Sequence, residues 1–200
     1  MYLKNKIIPT ILAQNKQEFE QKIQKIKKLG FKFIQIDICD GCFVGNKTFF
    51  SAEGAEKTGL DFELHLMVKN PAEIIEQIKN YKNIKKIIFH YEAVKNINQV
   101  INLIKKYNFS AGLAINLETP VLAIKDYLPD LDLVLIMSVQ PGFSGQKFIP
   151  ETLSKTKELR KINKKILIEV DGGINKKLAP RIIKAGADIL AVGSGLEDFV

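Results

Sequence analysis

Short β-rich runs and amphipathic helical stretches alternate along this chain from near residue 6 to residue 192 without interruption. The β-rich runs lie near 6–12, 32–38, 61–67, 85–90, 110–116, 132–138, 165–171 and 187–192, and helical patterns occupy 16–29, 72–82, 96–107, 151–162 and 175–185. A parallel strand pair needs a crossover long enough to hold a helix, so strict alternation predicts a parallel sheet covered by helices. Eight such runs in 200 residues predict closure into a (β/α)8 TIM barrel rather than an open doubly wound sheet. Asn15 and Asn175 are read as helix N-caps, and Gly30 and Gly186 as helix stops after lysine-containing last turns. No linker, low-complexity segment or compositional shift breaks the pattern, so residues 1–200 are read as one domain.

The strands themselves carry a second signal. In 32–38, Phe33, Gln35 and Asp37 share one face and Ile34, Ile36 and Ile38 the other; in 61–67, Glu63, His65 and Met67 oppose Phe62, Leu64 and Leu66. In 166–171, Leu167, Glu169 and Asp171 oppose Ile166, Ile168 and Val170. Period-two geometry forces that split, and the apolar face suits the covering helices. The polar members must then point into the barrel, where they are costly unless satisfied, which marks the C-terminal rim as a ligand site.

Bulk properties exclude several classes. The chain is 46% apolar and 26% charged, an ordinary globular balance. No apolar run approaches the roughly 20 residues of a membrane span, and the N-terminus lacks a secretory core, so no membrane role and a cytoplasmic location are expected. The net charge of +8 raises a nucleic-acid role. The lysines, however, fall on outer helix faces, as at Lys22, Lys25, Lys27, Lys28, Lys161, Lys164 and Lys165, with no basic stripe interleaved with exposed aromatics. No nucleic-acid partner is expected.

At the rim, Asp37 and Asp171 each take the last inward position of a run that stops at glycine, with His65 beside one of them. Two flanking carboxylates suit proton removal from one face of a carbon and delivery to the other. Gly172, Gly173, Gly193 and Ser194 follow the seventh and eighth runs, where barrels of this type seat phosphate on backbone N–H groups.

The chain resembles the ribulose-phosphate 3-epimerase family through Pro9-Thr10-Ile11-Leu12, Asp37-Ile38-Cys39-Asp40-Gly41, His65-Leu66-Met67-Val68, the stretch from Met137 to Gln146, Glu169-Val170-Asp171-Gly172-Gly173 and Gly193-Ser194. These six motifs occur in order, each at a strand end. The resemblance implies epimerisation at C3 of a phosphorylated ketose, D-ribulose 5-phosphate to D-xylulose 5-phosphate, with Asp37 and Asp171 as the acid/base pair and an enediolate between them. It implies one divalent metal, zinc, iron(II), manganese or magnesium, held by two histidines and two aspartates, here Asp37, His65, Asp171 and a fourth position. It also implies that the loop with Gly142, Phe143, Ser144 and Gly145 closes over the substrate, and that Thr10 offers a hydroxyl where relatives have serine.

The chain departs from that pattern in places. The second histidine position is Gln35, which leaves three readings open: a metal kept through Gln35 and shifted toward manganese or magnesium, a metal with three protein ligands and water, or a lost metal. Only six residues follow Ser194, so the final C-terminal helix is read as truncated and cover for strands one and eight is expected from a homo-oligomer. Cys39 and Cys42 form a CxxC without a second pair; soft packing beside Met67 and Met137 is the favoured reading, a redox or metal role the other. His90 is read as a satisfied core histidine with pocket lining as the alternative, and Asn116, Glu169 and Asp40 as inner-rim groups that orient ligands. Two competing functions stay open: C3 epimerisation of a related ketose phosphate such as a six-carbon sugar, and a catalytically dead sugar-phosphate-binding barrel.

Overall fold

Eight parallel strands close in sequence order into a barrel in the computed structural model, which describes residues 3–199. The strands are β1 (Ile7–Ile11), β2 (Phe33–Cys39), β3 (Asp61–Met67), β4 (Ile84–His90), β5 (Ser110–Ile115), β6 (Leu133–Met137), β7 (Leu167–Asp171) and β8 (Ile189–Val192). Around them lie α1 (Lys16–Lys28), α2 (Ala52–Glu56), α3 (Pro71–Ile78), α4 (Ile97–Lys106), α5 (Thr152–Ile162) and α6 (Ala179–Ala185). Every β-rich run read from the sequence is a strand. Among the described residues no helix is long and apolar enough to cross a membrane.

Local chemistry explains the helices. Asn15 accepts the Glu18 N–H at 2.9 Å and opens α1, while Gly30, at φ 80°, follows its last turn. In α4 the buried Ile97, Val100, Ile101 and Ile104 follow the helical repeat and face the sheet. Gly186 ends α6 at φ 117°. Asn175 is not the N-cap of α6: its side chain accepts the N–H groups of Lys177 and Leu178, closing a turn that leads to a helix starting four residues later. Pro180 sits in the first turn of that helix, where its missing N–H has no cost.

Two apolar clusters build the core. The larger lies between strands and helices and holds Ile34, Ile36, Phe62, Leu64, Ile87, Phe89, Ile168 and Val170. A smaller one fills one side of the barrel interior with Ile88, Ala114, Leu133, Leu135 and Met137. Burial of a side chain such as Leu135 contributes roughly 1.5–3 kcal/mol. A Cβ added to Gly112 would meet Ile88 Cγ1 at 2.7 Å, so this side of the lumen is packed. The other side of the lumen is polar. Register pairs Gln35 with Glu63 and Asp37 with His65, and a one-residue slip would reverse which face holds them.

The connections differ more from expectation. Between β5 and β6 the chain forms a 3-10 stretch, Val121–Asp130, preceded by Pro120 and containing Pro129. Residues Leu196–Phe199 form a 3-10 turn whose Leu196 and Phe199 are buried in the outer core. This turn supplies cover on the side where the sequence suggested an open apolar face.

Candidate active site

Asp37, His65 and Asp171, inward residues at or near the C-terminal ends of β2, β3 and β7, converge on one spot. Asp37 Oδ1, His65 Nδ1 and Asp171 Oδ2 all lie within 4.8 Å of one another. His65 Nδ1 stands 3.1 Å from Asp37 Oδ1 and 3.4 Å from Asp171 Oδ2. Gln35, one layer below and fully buried, donates from Nε2 to Asp37 Oδ1 at 2.8 Å and to Asp171 Oδ2 at 2.9 Å. The same two carboxylate oxygens therefore face one amide nitrogen and one imidazole nitrogen. Carboxylates only accept, so both nitrogens carry hydrogen in this arrangement.

Burial pushes the Asp37 carboxyl up, opposed by the His65 hydrogen bond and reinforced by the charge of Asp171. Burial pulls the His65 imidazole down, but its hydrogen bonds and charge pairing with Asp171 and Asp37 outweigh this and carry it up to about 9. The two carboxyl groups thereby favour the protonated form of the ring between them.

Above this cluster opens a narrow cleft with a cavity volume of about 50 Å³. Thr10, Asp37, His65, Gly142, Phe143, Ser144, Gly145, Asp171, Gly172, Gly173, Gly193 and Ser194 all line it. Gln35 lies beneath the cleft rather than on its wall. Met67 and Met137 line it as well, with Cys39 behind Met67 at 4.0 Å between sulfurs. Both cysteines are free thiols, and burial, then the charges of Asp37 and Asp40, pushes Cys39 up to about 12. That thiol is protonated and packs as an apolar group.

The glycines of the β7 loop are required by geometry. Gly172 and Gly173 have φ of 118° and 62°, and a Cβ on Gly173 would meet the Phe148 nitrogen at 2.3 Å. The Ser138 hydroxyl donates to the carbonyls of Asp171 and Gly172 at 2.8 and 2.7 Å, tying the ends of β6 and β7 together. The loop after β6 is braced by Gln146, which donates to the carbonyls of Gln140 and Phe143, and by Asn46, which donates to Gly142 O at 2.6 Å. Sequence reasoning missed Gln146 and Asn46, since neither lies at an inward strand position.

The remaining candidates sort differently. Asp40 does not face the cleft: its carboxylate accepts the N–H groups of Cys42, Phe43 and Lys69 and fastens the β2 loop to the β3 loop. Glu169 is fully buried in the barrel interior with Glu63 and Lys86, where Lys86 Nζ is 2.6 Å from Glu63 and 3.9 Å from Glu169. Burial and then the Glu63 charge raise Glu169 well above the usual carboxylate range. Asn116 donates its backbone N–H to Glu92. His90 is a fully buried core histidine behind His65, absent from the cleft wall.

Solved structures with the same fold include a tryptophan synthase alpha-subunit from Pyrococcus furiosus, with a TM-score of 0.73 and 14% identity over 96% of this chain and 88% of that one. A 3-dehydroquinate dehydratase from Geobacillus kaustophilus gives a TM-score of 0.64 at 11% identity over 94% of this chain and 81% of that one. At such identity they share the barrel alone. Sequence relatives say more. The chain is 40% identical to a ribulose-phosphate 3-epimerase of Bacillus subtilis, over 96% of this chain and 91% of that protein. It is 39% identical to that of Chlamydia pneumoniae, over 94% and 86%, and 38% identical to that of Methanocaldococcus jannaschii, over 96% and 83%. The profile of the ribulose-phosphate 3 epimerase family matches residues 6–197, a span that contains both rim aspartates, His65 and every glycine of the cleft. This chain therefore belongs to the ribulose-phosphate 3-epimerase family.

Proposed function

We propose that the protein interconverts D-ribulose 5-phosphate and D-xylulose 5-phosphate by proton transfer at C3 between Asp37 and Asp171. The observation that carries the reading is the pair itself: two carboxylates from β2 and β7, held by shared donors, open into one cleft with glycine-rich loops. In the ring of strands β2 and β7 are separated by β1 and β8, so the two acids approach a bound carbon from different sides. Asp37 takes the C3 proton from one face and Asp171 delivers a proton to the other; the roles exchange in the reverse direction. A carboxyl raised by burial is better matched to this task near neutral pH than a solvated one. The β7 and β8 loops, with Gly172, Gly173, Gly193 and Ser194, seat the phosphate, Thr10 contacts the sugar, and the segment Gly142–Gly145 closes over it.

The donor set suits a divalent cation. Two carboxylates and one imidazole nitrogen lie within reach of a common point, and Gln35 Oε1 is buried without a hydrogen-bond partner among the described residues. Asp37, His65 and Asp171 would hold the ion, and Gln35 would add a hard oxygen donor, a set that favours manganese or magnesium more than a second imidazole would. Such an ion supplies positive charge where the enediolate develops.

The test is C3 proton exchange of D-ribulose 5-phosphate in deuterated water, followed by NMR, on stripped protein and with single metals added. Asp37→Asn and Asp171→Asn should each lower turnover by at least about 100-fold while inorganic phosphate still binds. Normal turnover in either variant would sink the assignment. Assaying a six-carbon ketose phosphate in parallel separates the related substrate, and binding without exchange would identify a dead barrel.

A further inference from the structure

Behind His65 the chain builds a line of polar groups that the proton transfer itself does not use. His90, the last residue of β4, places Nε2 2.9 Å from His65 Nε2, with ring planes 22° apart and ring centroids 5.0 Å apart. Its Nδ1 lies 3.3 Å from Glu92 Oε2, and Phe43 covers its ring at 4.9 Å. Glu92 Oε1 accepts the Asn116 N–H at 2.8 Å and the Thr119 hydroxyl. Lys155 in turn donates to the carbonyls of Asn116 and Leu117 at 2.6 and 2.7 Å, fixing the loop after β5.

Donor and acceptor accounting makes the line directional. Each imidazole turns Nδ1 toward carboxylate, which only accepts, so each Nδ1 carries hydrogen. The two Nε2 atoms at 2.9 Å then need one hydrogen between them, for otherwise two lone pairs would face each other in a site closed to water. Rotating the His65 ring by a half-turn would break its contacts to Asp37, Asp171 and His90 together. The anchored Glu92 fixes His90, and His90 fixes His65. Burial would raise the Glu92 carboxyl, but hydrogen bonds from His90, Thr119 and the Asn116 N–H overcome it and hold the group down at about 2, so it stands as an acceptor toward His90.

We propose that His90 and Glu92 are positioning residues that act through His65, keeping its Nδ1 aimed between Asp37 and Asp171. Its kinetic consequence rests on the epimerase reading, whereas the geometry can be read without it. Neither residue lines the cleft, so neither touches substrate.

His65 and His90 are the chain's two histidines, so ¹⁵N-histidine labelling reports on them alone. In metal-stripped protein a scalar coupling between the two Nε2 nuclei across the shared hydrogen is expected. Glu92→Ala should shift the His65 ring nitrogens and lower kcat roughly 10- to 100-fold, with KM nearly unchanged. Glu92→Gln, which keeps an acceptor oxygen, should recover most of both. Should Glu92→Ala fail to fold, Thr119→Val removes one anchor of Glu92 and should shift the same His65 resonances less. Unmoved His65 resonances and full kcat in folded Glu92→Ala, or unmoved resonances in Thr119→Val, would overturn the proposal. Coupling present without C3 exchange in the wild-type chain would overturn the epimerase reading and keep the positioning line; exchange without coupling would do the reverse.

Discussion

Gln35 donates from Nε2 to Asp171 Oδ2 at 2.9 Å, a bond that crosses the lumen from β2 to β7. The same nitrogen reaches Asp37, so a neutral amide holds the acid pair at the position where the family resemblance implies a histidine. An amide nitrogen cannot ligate a cation, whereas its oxygen can. Loading a metal through Gln35 therefore replaces two hydrogen bonds to charged groups, each of about 1.5–3 kcal/mol. Gln35→His is expected to tighten zinc binding by at least about tenfold relative to manganese, because imidazole is the better borderline donor. Competition titration with a metal-sensitive dye measures it directly; an unchanged zinc-to-manganese ratio would place Gln35 outside the metal site.

Gly173 has no alternative. A side chain there would meet the Phe148 nitrogen at 2.3 Å and the Gln146 carbonyl at 2.8 Å, backbone atoms that cannot swing aside, at a φ of 62°. Gly173→Ala should destabilise the fold by roughly 1–3 kcal/mol and separate the β7 loop from the loop after β6. Chemical denaturation and KM for the sugar phosphate check this together. A wild-type KM in the variant would mean that the phosphate seat does not depend on that contact.

The cysteines are predicted to behave as unequal thiols. Cys39 is buried and held protonated, and Cys42 is exposed. A disulfide-exchange reagent should modify one thiol rapidly in native protein and the second only on unfolding. Rapid loss of both would show that the floor of the cleft opens readily, and a resistant oxidised pair would restore the redox reading of the CxxC.

Metal-stripped protein should lose the His65 contribution above pH 6.5 and the His90 and Glu92 contributions below it. His65 is raised to about 9, so its contribution is complete below the unfolded value of 6.5 and is lost as pH rises toward 9. His90 is lowered to about 4, so the unfolded chain binds more protons between 6.5 and 4 and stability falls on acidification. Glu92, lowered to about 2, extends that loss from 4.5 downward. Asp37 flanks His65, and Glu92 flanks His90, so each of these pairs titrates together. Each limb has a slope of at most about 1.4 kcal/mol per pH unit for one proton. Thermal melts across pH 4–9 test the shape, and a flat profile would contradict the raised His65 imidazole.

Much of this was legible from residues alone, for a local reason. Alternation within a strand is a property of the chain itself, so the inward face of Gln35, Asp37, Glu63, His65, Glu169 and Asp171 follows once eight strand-helix units are recognised. Gly172 and Gly173 likewise announce a turn, because few other residues accept positive φ. The loops were harder. Asp40 looked like a rim group and serves instead as a brace between loops, since three N–H groups converge on it only after β2 and β3 pair.

By itself, then, the sequence determined the barrel, the polar face of its lumen and the glycine rim, because periodicity and backbone sterics act over neighbouring residues. Tertiary closure decided the partners: that Gln35 meets Asp171 from 136 positions away, that His65 meets His90 ring to ring, and that Glu92 is anchored by the β5 loop. Those contacts depend on register and barrel closure, which bring together groups whose spacing along the chain carries no trace of the meeting.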